Sequence, residues 1–186
     1  INAFEKDYSR IVSSAAFRRL QDKTQVFPLD KSDFIRTRLT HSIEVSTIAR
    51  QLGIMISKNT TPYKPTDIAV PEDAEAIASV LLCAGLLHDL GNPPFGHFGE
   101  TVIGDWFKEN LDHVKYKGQP LRSWLSAQMI ADLENFEGNA QALRILLKAK
   151  HGSSLNLSKA IISTLVKYPT CLLYTSPSPR DGATSR

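Results

Sequence analysis

IASVLLCAGLLHDLGNPPFGHFGE, Ile77–Glu100, carries the most apolar run in the chain and the densest set of ionisable side chains next to it. Its first part, Ile77–Leu87, is apolar on every side of a helix, so it is expected to run through the centre of a core. Pro71-Glu72-Asp73 upstream has the features of a helix start, with proline at the first position and acids in the first turn. The run ends at His88-Asp89, then Leu90 and Gly91. A carboxylate at the end of such a helix needs a cation, a donor network or water, because an isolated buried charge is very costly.

Outward from this segment the chain reads as helix. Ser9–Leu20 places Ile11, Val12, Ala15, Ala16 and Leu20 near helical spacing. Gln21–Arg38 contains Pro28, has no clean period and reads as an irregular loop; a loop of that length usually serves a site. Leu39–Lys58 is a second helix, with Val45, Ile48, Leu52 and Ile56 expected on one buried stripe. Asn59–Val70 is a Thr- and Pro-rich connection. Phe98–Leu111, Leu121–Phe136, Asn139–Lys150 and Leu157–Lys167 supply further helices, with Gly152 after His151 as a helix stop. No strand is predicted, and the class is all-α.

Composition sets the outer bounds. The 186 residues suffice for one domain with a real core, and 22% charged with 42% hydrophobic residues fit a soluble globular chain. No apolar run reaches membrane-spanning length, and no secretory segment opens the chain. The net charge of +3 is too mild to argue for nucleic acid alone. Two cysteines give no disulfide framework, so a reducing cytoplasm is the expected location.

From Cys171 the text changes to CLLYTSPSPRDGATSR, and helical periodicity stops. It reads either as a disordered tail or, preferably, as the translation of a sequencing adapter joined to the end of a short read. On the second reading the protein text ends near Thr170, the natural chain continues past it, and the charge without two Arg and one Asp is +2.

The chemistry centres on His88-Asp89. Adjacent helical residues point about 100° apart, so both can hold one ion only in the wedge between them. An imidazole with a carboxylate suits Mn, Fe, Zn or Mg, with Mg least content with His. The alternative is a helix cap whose His bonds the last carbonyls. His41 lies four residues before Val45, on the expected buried stripe, and follows Arg36 and Arg38. A ligand histidine beside paired arginines fits a metal-bound phosphate, since Arg forks match phosphate oxygens. Otherwise the arginines form a solvated positive face.

In Asn92–Glu100 two prolines stiffen the loop, and Gly96 and Gly99 bracket His97-Phe98. Glu100, three residues beyond His97, is placed to orient its ring, an arrangement suited to a general acid or base. Each also has a plain structural reading, His97 as a cap and Glu100 as an acid at a helix N-terminus. His113 and His151 receive no functional reading. Cys83, Trp106 and Trp124 are assigned to packing.

SSAAFRRLQDKTQVFP, DFIRTRLTHSIEVSTIARQLG, GLLHDLGNPPFGHFGE and NFEGNAQALRIL together resemble the deoxyguanosine triphosphate triphosphohydrolase family of the HD superfamily, over most of Tyr8–Pro169. The resemblance implies an HD-domain helical bundle, partial over residues 1–170, with 171–186 as the foreign-looking tail. It implies metal-dependent hydrolysis of dGTP or another dNTP to deoxynucleoside and triphosphate, by attack of metal-bound water at the α-phosphate. The leaving group is triphosphate or a 5′-alkoxide, depending on which bond breaks. His41, His88 and Asp89 become metal ligands, His97 the catalytic histidine and Glu100 its partner. Arg38 would touch the phosphates, Gln25 and Val26 the sugar, and Asn92, Lys167 and Tyr168 the substrate. The cofactor is a divalent ion: Mn, Mg, or Fe or Zn.

The resemblance further implies a homo-oligomer and a single-stranded DNA effector, which exposed aromatics such as Trp106 and Trp124 could meet, and no membrane. Glu137-Gly138-Asn139 reads only as a turn and helix start. The family pattern also has a later Asp, downstream of LVKYP, and none here fits it: Asp105, Asp112 and Asp132 are misplaced, and Asp181 lies in the tail. The 186-residue chain is therefore expected to bind metal weakly and to have little activity. The alternatives are another HD phosphohydrolase or phosphodiesterase, and a non-catalytic dNTP or nucleic-acid binding module.

Overall fold

The computed structural model of the chain describes residues 2–25, 34–59, 71–147 and 155–166. The architecture is all-α, with eight α-helices and two 3-10 turns among the described residues. Helix α1, Ala3–Ser13, starts earlier than its hydrophobic spacing suggested. Asn2 and Glu5 form a reciprocal cap there: the Asn2 side chain accepts from Phe4 N, and Glu5 Oε2 accepts from Asn2 N. The predicted run to Leu20 is not continuous. Ser14 turns extended (ψ 145°), and its hydroxyl accepts from Phe17 N to start α2, Ala15–Arg18. A 3-10 turn at Arg19–Asp22 follows. The serine hydroxyl competes with the helix ladder and wins. Ile11, Phe17 and Leu20 still reach the core.

Helix α3, Arg38–Asn59, and α4, Pro71–Leu87, lie along each other. As predicted, α4 is central: Ala78, Cys83, Leu86 and Leu87 are buried. It packs against α1, α3 and α8. The expected buried stripe on α3 is wrong. Ile48, Leu52 and Ile56 are about half exposed, while Ser42 and Ser46 are buried. The reason is distance. A Cβ at Gly85 would lie 2.5 Å from Ser46 Cα, and one at Gly53 2.9 Å from Ala78 Cα. Two helices this close meet through small residues at these points, Ser46 on Gly85 and Gly53 on Ala78. The pairing of 46 with 85 and 53 with 78 makes them antiparallel.

Helix α5, Gly96–Asn110, follows the site loop. It leads to a feature that the sequence reading excluded, a short antiparallel hairpin, β1 (Lys115–Tyr116) and β2 (Gln119–Pro120). Lys117 (φ 49°) and Gly118 (φ 82°) make the tight turn with two left-handed residues. Two-residue strands are too short to show alternation in sequence. The predicted helix Leu121–Phe136 also divides. Leu121–Trp124 is a 3-10 turn, Leu125 is extended, and Ser126 caps α6, Ala127–Glu134, by accepting from Met129 N. Helix α7, Gly138–Leu147, is capped by Glu137 Oε2, which accepts from Ala140 N. Helix α8, Lys159–Thr164, is tied to α1 by buried Asp7, whose Oδ2 accepts from Ser158 N at 2.8 Å.

Among the described residues no helix is long and apolar enough to cross a membrane. The predicted site residues Val26, Lys167 and Tyr168, the predicted stop at Gly152 and the 171–186 tail lie outside the described residues.

Candidate metal centre

The centre forms where the start of α3 meets the end of α4. His41 comes from the first turn of α3, and His88 and Asp89 follow α4 directly. One ligand atom from each lies within 4.8 Å of the others. His41 Nε2 is 3.9 Å from Asp89 Oδ2, and His88 Nε2 is 3.5 Å from Asp89 Oδ1. The two imidazoles meet edge to face, with centroids 5.2 Å apart.

The hydrogen bonds set which nitrogen is free. His88 Nδ1 lies 2.8 Å from the Gly85 carbonyl, which can only accept, so Nδ1 carries the proton and Nε2 keeps its lone pair. Each Asp89 oxygen takes one donor: Arg38 Nη1 at 2.8 Å on Oδ2, and Asn92 Nδ2 at 2.7 Å on Oδ1. Asp89 therefore has both a cation and a donor network, and each oxygen still has acceptor capacity. Arg38 Nε and Ser42 Oγ, beside the candidate ligands, are buried with no hydrogen-bond partner among the described residues. Two imidazole lone pairs, a carboxylate and unsatisfied polar atoms fit a divalent transition ion.

The loop from Leu90 carries His97 round to the same region. Phe95 (φ 66°) and Gly96 (φ 58°) are consecutive left-handed residues that turn the chain into α5. A Cβ at Gly96 would come 2.8 Å from Arg38 Nη2, so the residue before His97 rests on the arginine that holds Asp89. His97 Nδ1 lies 2.7 Å from Glu100 Oε2. The carboxylate accepts, so His97 Nε2 is free, on a side chain that is largely exposed. The His97–Glu100 pairing follows the sequence reading.

Other predicted contacts take particular places. Arg38 is 4% exposed and pairs with Asp89. Arg36 pairs with Glu44 at the surface, at 2.7 Å. Asn92 holds Asp89. Gln25 Oε1 is buried with no partner among the described residues. Its neighbour Thr24 bridges to Thr37, which adjoins Arg38.

Two participants have no site role in the sequence reading, although both lie in segments that carry the resemblance. Lys23 Nζ donates to the Asn92 carbonyl at 2.8 Å, and its own carbonyl accepts from Arg38 N at 2.9 Å. Burial, and then the nearby Arg38 charge, push the Lys23 ammonium below its ordinary value. Gly138 is the other: its N–H donates to Glu100 Oε1 at 2.8 Å. Both contacts join segments far apart in the chain, so no local spacing announces them.

A helical protein that gathers His, then His-Asp, at the junction of two helices has the arrangement of the HD class. The HD-domain family model matches residues 38–168, and the chain belongs to the HD-domain family. It is 52% identical over 175 residues to a deoxyguanosinetriphosphate triphosphohydrolase-like protein of Listeria innocua, covering 92% of this chain and 38% of that protein. It is 43% identical over 167 residues to a probable deoxyguanosinetriphosphate triphosphohydrolase of Pseudomonas aeruginosa, covering 88% of this chain and 33% of that protein. A deoxyguanosinetriphosphate triphosphohydrolase of Yersinia pestis is 38% identical over 199 positions, with 95% of this chain and 38% of that protein covered. The chain thus spans little more than a third of the length of these relatives.

Proposed function

We propose that this chain carries most of the metal and acid–base machinery of an enzyme that hydrolyses dGTP or another deoxynucleoside triphosphate to deoxynucleoside and triphosphate. The observation that carries the reading is the convergence of His41, His88 and Asp89 within 4.8 Å. The names of the relatives support the substrate class. His41 Nε2, His88 Nε2 and an Asp89 oxygen would hold the ion; Mn, Fe and Zn suit these donors better than Mg. A bound divalent ion supplies Lewis-acid polarisation of a phosphoryl oxygen and a more acidic water.

The chain's own residues do the rest. Water attack at the α-phosphorus that yields deoxynucleoside and triphosphate breaks the bond to the 5′-oxygen. That alkoxide is a poor leaving group and needs a proton. His97 Nε2 is the free nitrogen, and Glu100 on Nδ1 stabilises the imidazolium that would deliver it. Arg38 neutralises Asp89 and would share its charge with the phosphate chain. Gln25, with an unpartnered buried oxygen, and Val26 would face the deoxyribose. Asn92, Lys167 and Tyr168 complete the proposed substrate set.

Three protein ligands are one fewer than the family pattern, so weak metal binding and low turnover are proposed for the 186 residues alone. A cytoplasmic, homo-oligomeric whole protein with a single-stranded DNA effector belongs to the same proposal. The test is product analysis with dGTP and Mn²⁺, on this chain and on a form extended to the length of the relatives. Triphosphate from the extended form supports the reading; pyrophosphate or orthophosphate would assign a different phosphohydrolase. His97→Ala should lower turnover by about 10²–10⁴-fold. Unchanged turnover would remove His97 from the chemistry.

A further inference from the structure

Glu137-Gly138-Asn139 has a simple local part: Glu137 caps α7, with Oε2 on Ala140 N and Oε1 on Asn139 Nδ2. The tertiary contacts of Gly138 go further. It is buried, and its N–H donates to Glu100 Oε1. A Cβ at this position would overlap Asn92 Oδ1 and lie 2.6 Å from Glu100 Oε1. On the other side, a Cβ at Gly91 would overlap the Gly138 carbonyl oxygen and Ala142 N. Two glycines, one on the loop after Asp89 and one at the start of α7, allow backbone to lie directly on backbone.

Gly138 thus touches two side chains with parallel duties. Asn92 holds Asp89 Oδ1, and Glu100 holds His97 Nδ1. The first chain of contacts runs to the metal ligand, the second to the acid–base histidine. We propose that the first turn of α7, at Gly138, is a positioning element that sets Asp89 and His97 relative to each other. It touches neither the reacting atoms nor the ion, and it acts through Asn92 and Glu100. The inference rests on the reading of His41, His88, Asp89 and His97 as the site. It adds a joint control over both halves from a helix that contributes no ligand.

The test uses ¹⁵N-labelled chain without metal, followed by Mn²⁺ titration. In Gly138→Ala, the Asn92 side-chain amide and the His97 imidazole nitrogen signals should both move, and Mn²⁺ affinity should fall at least tenfold. Gly104→Ala is the structural control. Its Cβ would lie 2.7 Å from the Glu134 carbonyl, so it strains the α5–α6 contact on the same helix as Glu100 without meeting Asn92 or Glu100. It should leave both signals in place. Glu137→Ala removes the α7 cap and the Asn139 contact while keeping Gly138, and should shift the same two signals by less; it decides the matter if Gly138→Ala does not fold.

Movement of one signal without the other in the folded variant overturns the proposal, as does equal movement of both in Gly104→Ala. Failure of the metal reading shows separately. A parent chain whose Mn²⁺ affinity is absent, or unchanged by His41→Ala, refutes that reading, while the two nitrogen signals still decide the role of Gly138.

Discussion

Arg38 Nη1 and Asp89 Oδ2 form an ion pair at 2.8 Å, with side chains only 4% and 10% exposed. The carboxylate that closes the most apolar helix is thereby neutralised by the protein before any ion arrives. A divalent ion at the same carboxylate does not meet a bare anion. It adds positive charge beside a fixed guanidinium, and part of its attraction to Asp89 is offset.

That relationship yields the first prediction. Arg38→Ala leaves Asp89 buried with one hydrogen bond and no directly paired cation, so stability should drop by about 3–5 kcal/mol. Mn²⁺ should restore more stability to the variant than to the parent, because it then supplies the missing charge. Thermal denaturation with and without Mn²⁺ measures both effects; equal Mn²⁺ shifts in the two proteins would contradict the offset.

Glu100 separates two duties by its two oxygens. Oε1 accepts from Gly138 N, and Oε2 accepts from His97 Nδ1. Glu100→Gln keeps an oxygen for Gly138 and removes the negative charge beside His97. Turnover of dGTP by the form extended to the relatives' length should fall about 10–100-fold, with little loss of thermal stability. A variant as active as the parent would show that the charge on Glu100 contributes nothing to His97.

The α3–α4 seam should transmit packing errors to the metal ligands. His41 precedes Ser46 on α3, and His88 directly follows α4, three residues past Gly85, so the Ser46–Gly85 seam adjoins the candidate ligands. Gly85→Ala should cost about 1–3 kcal/mol through overpacking. It should also weaken Mn²⁺ binding, read by isothermal titration. Lost stability with unaltered affinity would mean that the helices yield elsewhere.

Cys83 gives a pH dependence. Burial, and then the nearby Asp7 charge, raise its thiol from the ordinary 9.0 to about 11. The folded state keeps the proton that the unfolded state releases above pH 9.0. The stabilisation is therefore complete below pH 9.0 and is lost as pH rises towards about 11. Over that window the parent should lose roughly 2 kcal/mol more than Cys83→Ala, as followed by urea unfolding. Parallel curves for the two proteins would refute a buried neutral thiol.

The site was legible in the sequence to the extent that it is local. His88-Asp89 at the end of an apolar helix, and His97 with Glu100 one turn away, are read from spacing and composition. The Gly85 carbonyl that sets the His88 tautomer also lies within a turn. Helix interiors were legible for the same reason, since burial imprints a period on the chain. Helix ends were less so. Ser14 and Ser126 break predicted helices because a side-chain oxygen competes with the backbone for its N–H groups.

The sequence by itself determined an all-α chain, a central α4, and the candidate ligands that close it. The tertiary structure decided which face of α3 is inside. The α3 stripe of Ile48, Leu52 and Ile56 has helical period, yet it lies half exposed, because α3 turns the face with Ser46 and Gly53 to α4 instead. Tertiary structure also decided what holds the candidate site together: Arg38 and Asn92 on Asp89, and Gly138 on the Glu100 that pairs with His97. Periodicity records only whether a residue is apolar at its place in a helix. Which segment arrives opposite, and how near its backbone lies, depends on contacts distant in sequence, and those decide how Asp89 and His97 are held.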